Sequence, residues 1–211
     1  MIIHKLSIFN FGVYEGKNEF DFKTNSEKTV VLCGGRNGAG KTTLFESVLL
    51  CLYGKNFDDS LRENDYEQKI LRSFHRSLDD HLISDQSYIM IEFEIYLDNE
   101  IKQYQIKRTW ENNNGKVIED LSIKKLDTLS KTYTPLDISI PKKNSHKERK
   151  RFEDIDSVEK SEWQQFINQL IPRGIAKLFF FDGEQIQSIA DDDDENKYIQ
   201  SSFDTLLGLD L

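Results

Sequence analysis

The chain has 211 residues, 37% hydrophobic and 31% charged, enough for one substantial core or two lobes of a globular protein. Its net charge of -9 argues against a surface that coats nucleic acid throughout, because phosphate binding draws on many Lys and Arg side chains. Only three prolines occur, no apolar run approaches about 18 residues, and no basic-then-apolar segment opens the chain, which points to a cytoplasmic protein without a membrane partner.

Residues 1 to 33 begin with apolar and polar alternation in KLSIFNF and NEFDF around the turn-prone YEGKN, then give the continuous apolar run TVVLC. A hairpin followed by a buried central strand is expected. Cys33 and Cys51 lie in apolar runs without metal-ligand spacing, so both are expected to be buried free thiols in a reducing compartment. From Lys41 to Tyr53, Leu44, Phe45, Val48, Leu49 and Leu52 recur at helical spacing, with Gly54 placed for a left-handed cap.

Residues 55 to 86 are polar, with weak helical patterning around YEQKILRSF, and are expected to form an exposed insertion. The segments YIMIEFEIYL, IKQYQIKRTW and KVIEDLSIKKL alternate as strands, broken by the turn signals LDNE and ENNNG, so an antiparallel sheet follows. Residues 127 to 157 look irregular and hold two of the three prolines. A helix over Val158 to Leu170, an apolar strand KLFFF and a further helix beginning in NKYIQSSFDTLLGLDL complete the order. Tyr66, Tyr88, Tyr96, Tyr104 and Trp110 suit strand faces better than a platform for stacking bases. His75 and His81 make no metal set.

Chemistry concentrates in GRNGAGKT, residues 35 to 42, which fits G-x-x-x-x-G-K-[ST] between an apolar run and a helix. Gly35, Gly38 and Gly40 let the backbone curl with its N–H groups inward, and the positive end of the following helix faces the same space. The result is a phosphate cradle. Within Gly35, Arg36, Asn37, Gly38, Ala39, Gly40, Lys41, Thr42 and Thr43, Lys41 can reach the β and γ phosphates of ATP, and the Thr42 hydroxyl can ligate Mg²⁺. Hydrolysis asks for more: a further metal ligand, an oriented water and charge stabilisation. The FFFDGEQ stretch offers Asp182, Glu184 and Gln185, with Asp182 and Gln185 as further metal candidates and Glu184 as base. One basic concentration, KKNSHKERKR, carries Lys142, Lys143, Lys147, Arg149, Lys150 and Arg151 as candidate contacts to nucleic acid; a solvated loop is the plainer alternative. DDDDE, residues 191 to 195, is a solvated loop or a mobile linker.

Together, IIHKLSIFNFGVYEG, GGRNGAGKTTLFESVLLCLYG, FFFDGEQI and FDTLLGLDL resemble the N-terminal part of SMC-like ATPase heads, the superfamily that includes RecF and RecN. Within it, NFGVY, LYG and FFFDGE look most like the DndD family of ATPases from DNA sulfur-modification (phosphorothioation) systems. The resemblance implies an α/β P-loop NTPase of the ABC head type, with a mixed sheet, an antiparallel β subdomain and a C-terminal helix leading toward a coiled coil. It divides the chain into a P-loop core (1–54), an insertion and antiparallel β region (55–157), and a Q-loop region with the start of the coiled-coil helix (158–211). It implies ATP hydrolysis at a composite site in a nucleotide-sandwiched homodimer, with a C-terminal ATPase lobe carrying the signature and Walker B motifs that this chain lacks. Double-stranded DNA, DndC and DndE are the implied partners. In such heads a Gln-Gly pair usually contacts Mg²⁺ and water, whereas here Asp182 stands at the Gln position and Gln185 follows three residues later. A lone lobe is then expected to be inactive. A self-contained small P-loop kinase using Asp182 and Glu184, and a transporter's nucleotide-binding subunit, are the alternatives.

Overall fold

The computed structural model describes residues 1–25, 27, 30–57, 62–76, 84–97, 99–127, 129–135, 164–168, 171 and 176. In chain order these form β1 (Ile2–Phe11), β2 (Tyr14–Asp21), α1 (Lys41–Tyr53), a 3-10 turn (Gly54–Phe57), α2 (Glu63–Ser73), β3 (Gln86–Leu97), β4 (Glu100–Asn113), β5 (Lys116–Asp127) and β6 (Thr132–Pro135). The strands make one six-stranded sheet in the order β2-β1-β3-β4-β5-β6, and every described pairing is antiparallel. The fold is α/β, as expected; where a mixed sheet was expected, the sheet formed by the described residues is antiparallel throughout.

Alternation sets which face is buried. Leu6 and Ile8 on β1, Ile89, Ile91 and Phe93 on β3, Tyr104, Ile106 and Trp110 on β4, and Leu121 and Ile123 on β5 all enter the core. Helix α1 covers this face with Leu44, Val48, Leu50 and Leu52. The opposite face is polar, with Glu19 bridging Lys5 and Lys17 and with Lys107 lying over the Tyr88 ring. Tight hairpins join β3 to β4 and β4 to β5, with Asn99, Asn114 and Gly115 at positive φ as the turn signals require.

Several expectations are corrected. Val30 to Cys33 form no strand and no described strand pairs with them; Val30 and Leu32 are 73% and 90% exposed. An apolar run becomes a buried strand only where a neighbour supplies hydrogen-bond partners and cover. Cys33 is accordingly exposed, while Cys51 is buried against the carbonyls of Ile89 and Ile106, and burial pushes its thiol up to about 12. Residues 55 to 86 are not simply an exposed insertion, because α2 buries Tyr66 and Ile70, and Phe74 just beyond it forms a bridge with Phe11. Tyr66 therefore lies on a helix, not on a strand face. The stretch from 127 holds the short edge strand β6, where Pro135 costs no central ladder bond. Phe45 of α1 is 40% exposed despite its helical spacing. Gly54 has φ 53 and ψ -130, so it ends α1 outside the left-handed helical region, with its N–H on the Leu50 carbonyl. Residues 164–168 are helical, within the expected helix; the KLFFF stretch and the terminal segment lie outside the described residues. Among the described residues no helix is long and apolar enough to cross a membrane.

The far end of α1 is closed by a buried ion pair. Arg108, 3% exposed on β4, pairs with Glu119 of β5 and donates to the Cys51 carbonyl at 3.1 Å and the Leu52 carbonyl at 3.4 Å. A cation at a helix C-terminus satisfies carbonyls that have no partner within the helix. Gln164 joins the same cluster, donating to the Leu52 carbonyl and accepting from Arg108. Trp110 and Tyr66 donate to the other Glu119 oxygen. Burial opposes ionisation of Glu119, but the Arg108 charge and these hydrogen bonds outweigh it and hold the carboxyl below its ordinary value. Removing Arg108 as Arg108→Met strands a buried carboxylate and is expected to cost about 3 kcal/mol in urea denaturation; a loss below about 1 kcal/mol contradicts this account of the pair. Because the folded-state value of Glu119 is lowered, its contribution is present above the ordinary carboxylate pKa and lost as pH falls through the lowered one. Acid titration of stability should therefore be flatter in Glu119→Gln than in the wild type, and parallel curves would refute the assignment.

Candidate phosphate-binding loop

Gly40 is the hinge between loop and helix. It sits at the N-cap of α1 with φ 92 and ψ 15, a left-handed conformation that side chains resist. It is also sterically committed. A Cβ added there would lie 2.5 Å from Val13 Cγ2 and 2.9 Å from the Tyr14 hydroxyl, so the turn between β1 and β2 presses directly on the loop. Tyr14 donates to the Gly40 carbonyl at 2.9 Å, and the same oxygen accepts the Leu44 N–H at 2.8 Å to begin the helix. One turn further on, Gly12 lies against Thr43, where an added Cβ would come within 2.8 Å of Thr43 Cγ2.

The loop itself runs from Gly35 to the start of α1. Lys41 curls back over it, its ammonium donating to the Gly35 and Arg36 carbonyls at 3.0 Å each. The Ala39 N–H closes onto the Arg36 carbonyl at 3.1 Å. Above Gly38 the space is open, since an added Cβ would meet nothing within 4 Å. A glycine-lined concavity with an ammonium at its rim and a helix N-terminus at its base fits a phosphate group. Thr42 stands in the first turn of α1, where its hydroxyl would be a ligand for Mg²⁺ beside that phosphate.

The hairpin that supports the loop is braced from behind by the end of α2. The Gly12 N–H donates to the Ser73 carbonyl at 2.6 Å, the His75 N–H to the Asn10 carbonyl at 2.9 Å, and His75 Nδ1 to the Gly12 carbonyl at 3.0 Å. Asn10, at φ 47, accepts the Gly16 N–H through its side chain at 2.8 Å. The turn of this hairpin falls at Gly12 and Val13, ahead of the YEGKN stretch expected to form it, which lies instead within β2, and Gly12 brings no charge to the loop.

Gly35, Arg36, Asn37, Gly38, Ala39, Gly40, Lys41, Thr42 and Thr43 are brought together in this one place. Asp182, Glu184, Gln185 and the basic run Lys142, Lys143, Lys147, Arg149, Lys150 and Arg151 lie outside the described residues. Sequence pattern does not single out Tyr14; NFGVY marks a turn but not the element it contacts. A cavity of about 880 Å³ opens beside the other end of α1, lined by Tyr53, Lys55, Tyr66, Arg108, Lys116 and Glu119 among others. Its charged wall is already used by the Arg108–Glu119 pair, and a 13-residue helix of about 20 Å separates it from the loop.

A family model described as an AAA domain (AAA_23) matches residues 5–208, nearly the whole chain. The chain belongs to the AAA domain family. This AAA domain is 34% identical over 132 residues to the DNA double-strand break repair Rad50 ATPase of Nanoarchaeum equitans, covering 62% of this chain and 14% of that protein. It is 26% identical over 121 residues to the C subunit of the nuclease SbcCD of Staphylococcus saprophyticus, covering 56% of this chain and 11% of the relative. Its counterpart in Staphylococcus aureus strain MRSA252 is 31% identical over 103 residues, or 49% and 9% of the two chains. The chain thus spans 9 to 14% of the length of these relatives. A solved structure described as "Structural biochemistry of ATP-driven dimerization and DNA stimulated activation of SMC ATPases" covers 56% of this chain and 72% of its own, at 20% identity and a TM-score of 0.37.

The two loop glycines separate geometrically. Gly40→Ala meets both an unfavourable φ and a collision, whereas Gly38→Ala, at φ 79, meets only the conformational penalty of about 1 kcal/mol. Thermal melting should fall clearly further for Gly40→Ala than for Gly38→Ala, and equal shifts would contradict the packing of the hairpin on the loop.

Proposed function

We propose that this AAA domain is the ATP-binding lobe of an SMC-like ATPase that acts with double-stranded DNA. The observation that carries the reading is the loop from Gly35 to Thr43, seated on a helix N-terminus with Lys41 folded over it. Its glycine backbone and ammonium complement a triphosphate, and Thr42 would share Mg²⁺ with the β and γ phosphates. The likeness to Rad50 and to the C subunit of SbcCD supports an ATPase of DNA transactions over a metabolite kinase or a transporter component.

In this reading the bound ATP supplies the γ-phosphoryl group that is transferred to water. The lobe binds and orients the nucleotide, while a second lobe with signature and Walker B motifs contributes the remaining catalytic groups across a homodimer interface. Asp182 or Gln185 would add a ligand to the metal, while the catalytic Glu would come from the Walker B motif of the second lobe; Glu184 serves as base only in the self-contained alternative. The run from Lys142 to Arg151 would meet DNA phosphates. The finer assignment is DNA phosphorothioation in company with DndC and DndE, supported by the NFGVY, LYG and FFFDGE stretches.

Calorimetric titration with MgATP tests the core of this reading. Lys41→Ala removes the ammonium that folds over the loop and is expected to abolish measurable binding at concentrations where the wild type saturates. Unchanged affinity in that variant would refute the phosphate-loop assignment. The wild-type lobe alone should show negligible turnover until the second lobe is added, and steady hydrolysis independent of protein concentration would favour a self-contained enzyme.

A further inference from the structure

We propose that Tyr14 is a positioning residue of the phosphate loop: its hydroxyl fixes the plane of the Gly40–Lys41 peptide and so aims the Lys41 N–H at the phosphates. The inference rests on the ATP-binding reading above and deepens it. A trans peptide holds its C=O and the following N–H on opposite sides of the chain. Pinning the Gly40 oxygen therefore sets the direction of the Lys41 N–H. That oxygen is held by two donors, the Tyr14 hydroxyl at 2.9 Å and the Leu44 N–H at 2.8 Å.

The restraint matters because of where it acts. Gly40 has the softest backbone of any residue type and sits at φ 92, where no side chain of its own limits rotation of the following peptide. The helix bond from Leu44 restrains the oxygen along the axis, and Tyr14 restrains it from the side. The N-cap residue itself offers no side-chain bond at this end of α1.

Tyr14 is itself well supported. It opposes Phe11 across the β1–β2 ladder, and its ring meets Phe20 edge-on at 5.5 Å. Phe11 is buried against Trp110, with ring centroids 5.7 Å apart, and bridges to Phe74 beyond α2. The hydroxyl is thus mounted on the rigid end of the sheet, which is the condition for orienting a site group to fractions of an ångström. Burial, and then the neighbouring Cys33, raise the Tyr14 pKa, so the phenol keeps the proton it donates.

The test replaces one oxygen. In the 211-residue chain, Tyr14→Phe keeps the ring packing and removes the donor. MgATP affinity and the amide proton shift of Lys41 at saturation are measured together by NMR titration. The inference expects the Kd to rise about fivefold, the worth of one hydrogen bond, and the downfield displacement of the Lys41 amide on MgATP binding to shrink clearly. Unchanged affinity and displacement would overturn it. So would a weaker affinity with a full Lys41 displacement, which would make the hydroxyl a purely structural group. Val13→Ala, which trims the neighbouring contact and keeps the hydroxyl, should retain the wild-type displacement. Absence of any Lys41 response in the wild type would overturn the ATP-binding reading itself, and the inference with it.

Discussion

The constraint on which the candidate site depends is steric and lies at Gly40. The chain must leave the loop in a left-handed turn, enter a helix at the next residue, and do both within van der Waals reach of Val13 and Tyr14. Only a residue without a Cβ meets all three conditions. From that point the geometry propagates in both directions. Backward, Lys41 folds its ammonium onto the Gly35 and Arg36 carbonyls and shapes the loop. Forward, the Gly40 carbonyl begins the hydrogen-bond ladder of α1.

Helix α1 is then held at both ends by the same sheet. Its start rests on the β1–β2 turn, and its last carbonyls rest on Arg108, which the Glu119 carboxylate, Trp110 and Tyr66 secure between β4, β5 and α2. Along its length Leu44, Val48 and Leu52 bury one stripe against the sheet. A site group placed on such an element is held by contacts at both ends of the helix. That explains why a short loop of exposed glycines can still present its amides in a defined direction. The Gln164 contact to Leu52 and the Tyr53 hydroxyl bond to the Ile171 carbonyl carry the same anchoring onward to residues that precede Asp182 in the chain.

What sequence pattern discloses is the local physics. The alternation in β3, β4 and β5, the Asn and Gly turns between them, the extent of α1 and the spacing of the phosphate loop all depend on near neighbours, and each lies where expected. What it withholds depends on contacts distant in sequence. The apolar run Val30–Cys33 reads as a central strand because hydrophobicity alone cannot state whether a partner lies alongside. Helix α2 reads as exposed because its mean composition is polar, although Tyr66, Ile70 and the following Phe74 align on one buried face. Arg108 reads as one more charge on a strand, and Tyr14 as one more turn residue; their partners lie 11 and 26 positions away. The family resemblance reaches the loop and the ends of the chain, but it offers no account of either contact.

The central claim is that the curled amides between Gly35 and Thr43 receive the phosphates of ATP. Backbone hydrogen exchange followed by mass spectrometry, with MgATP and with AMP, addresses it most directly. The account predicts slowed exchange in the segment from Gly38 to Thr43 with MgATP and little change with AMP, which has no β or γ phosphate to fill the loop. Protection confined to the cavity around Lys55 and Lys116, with the loop exchanging as in the free protein, would contradict it.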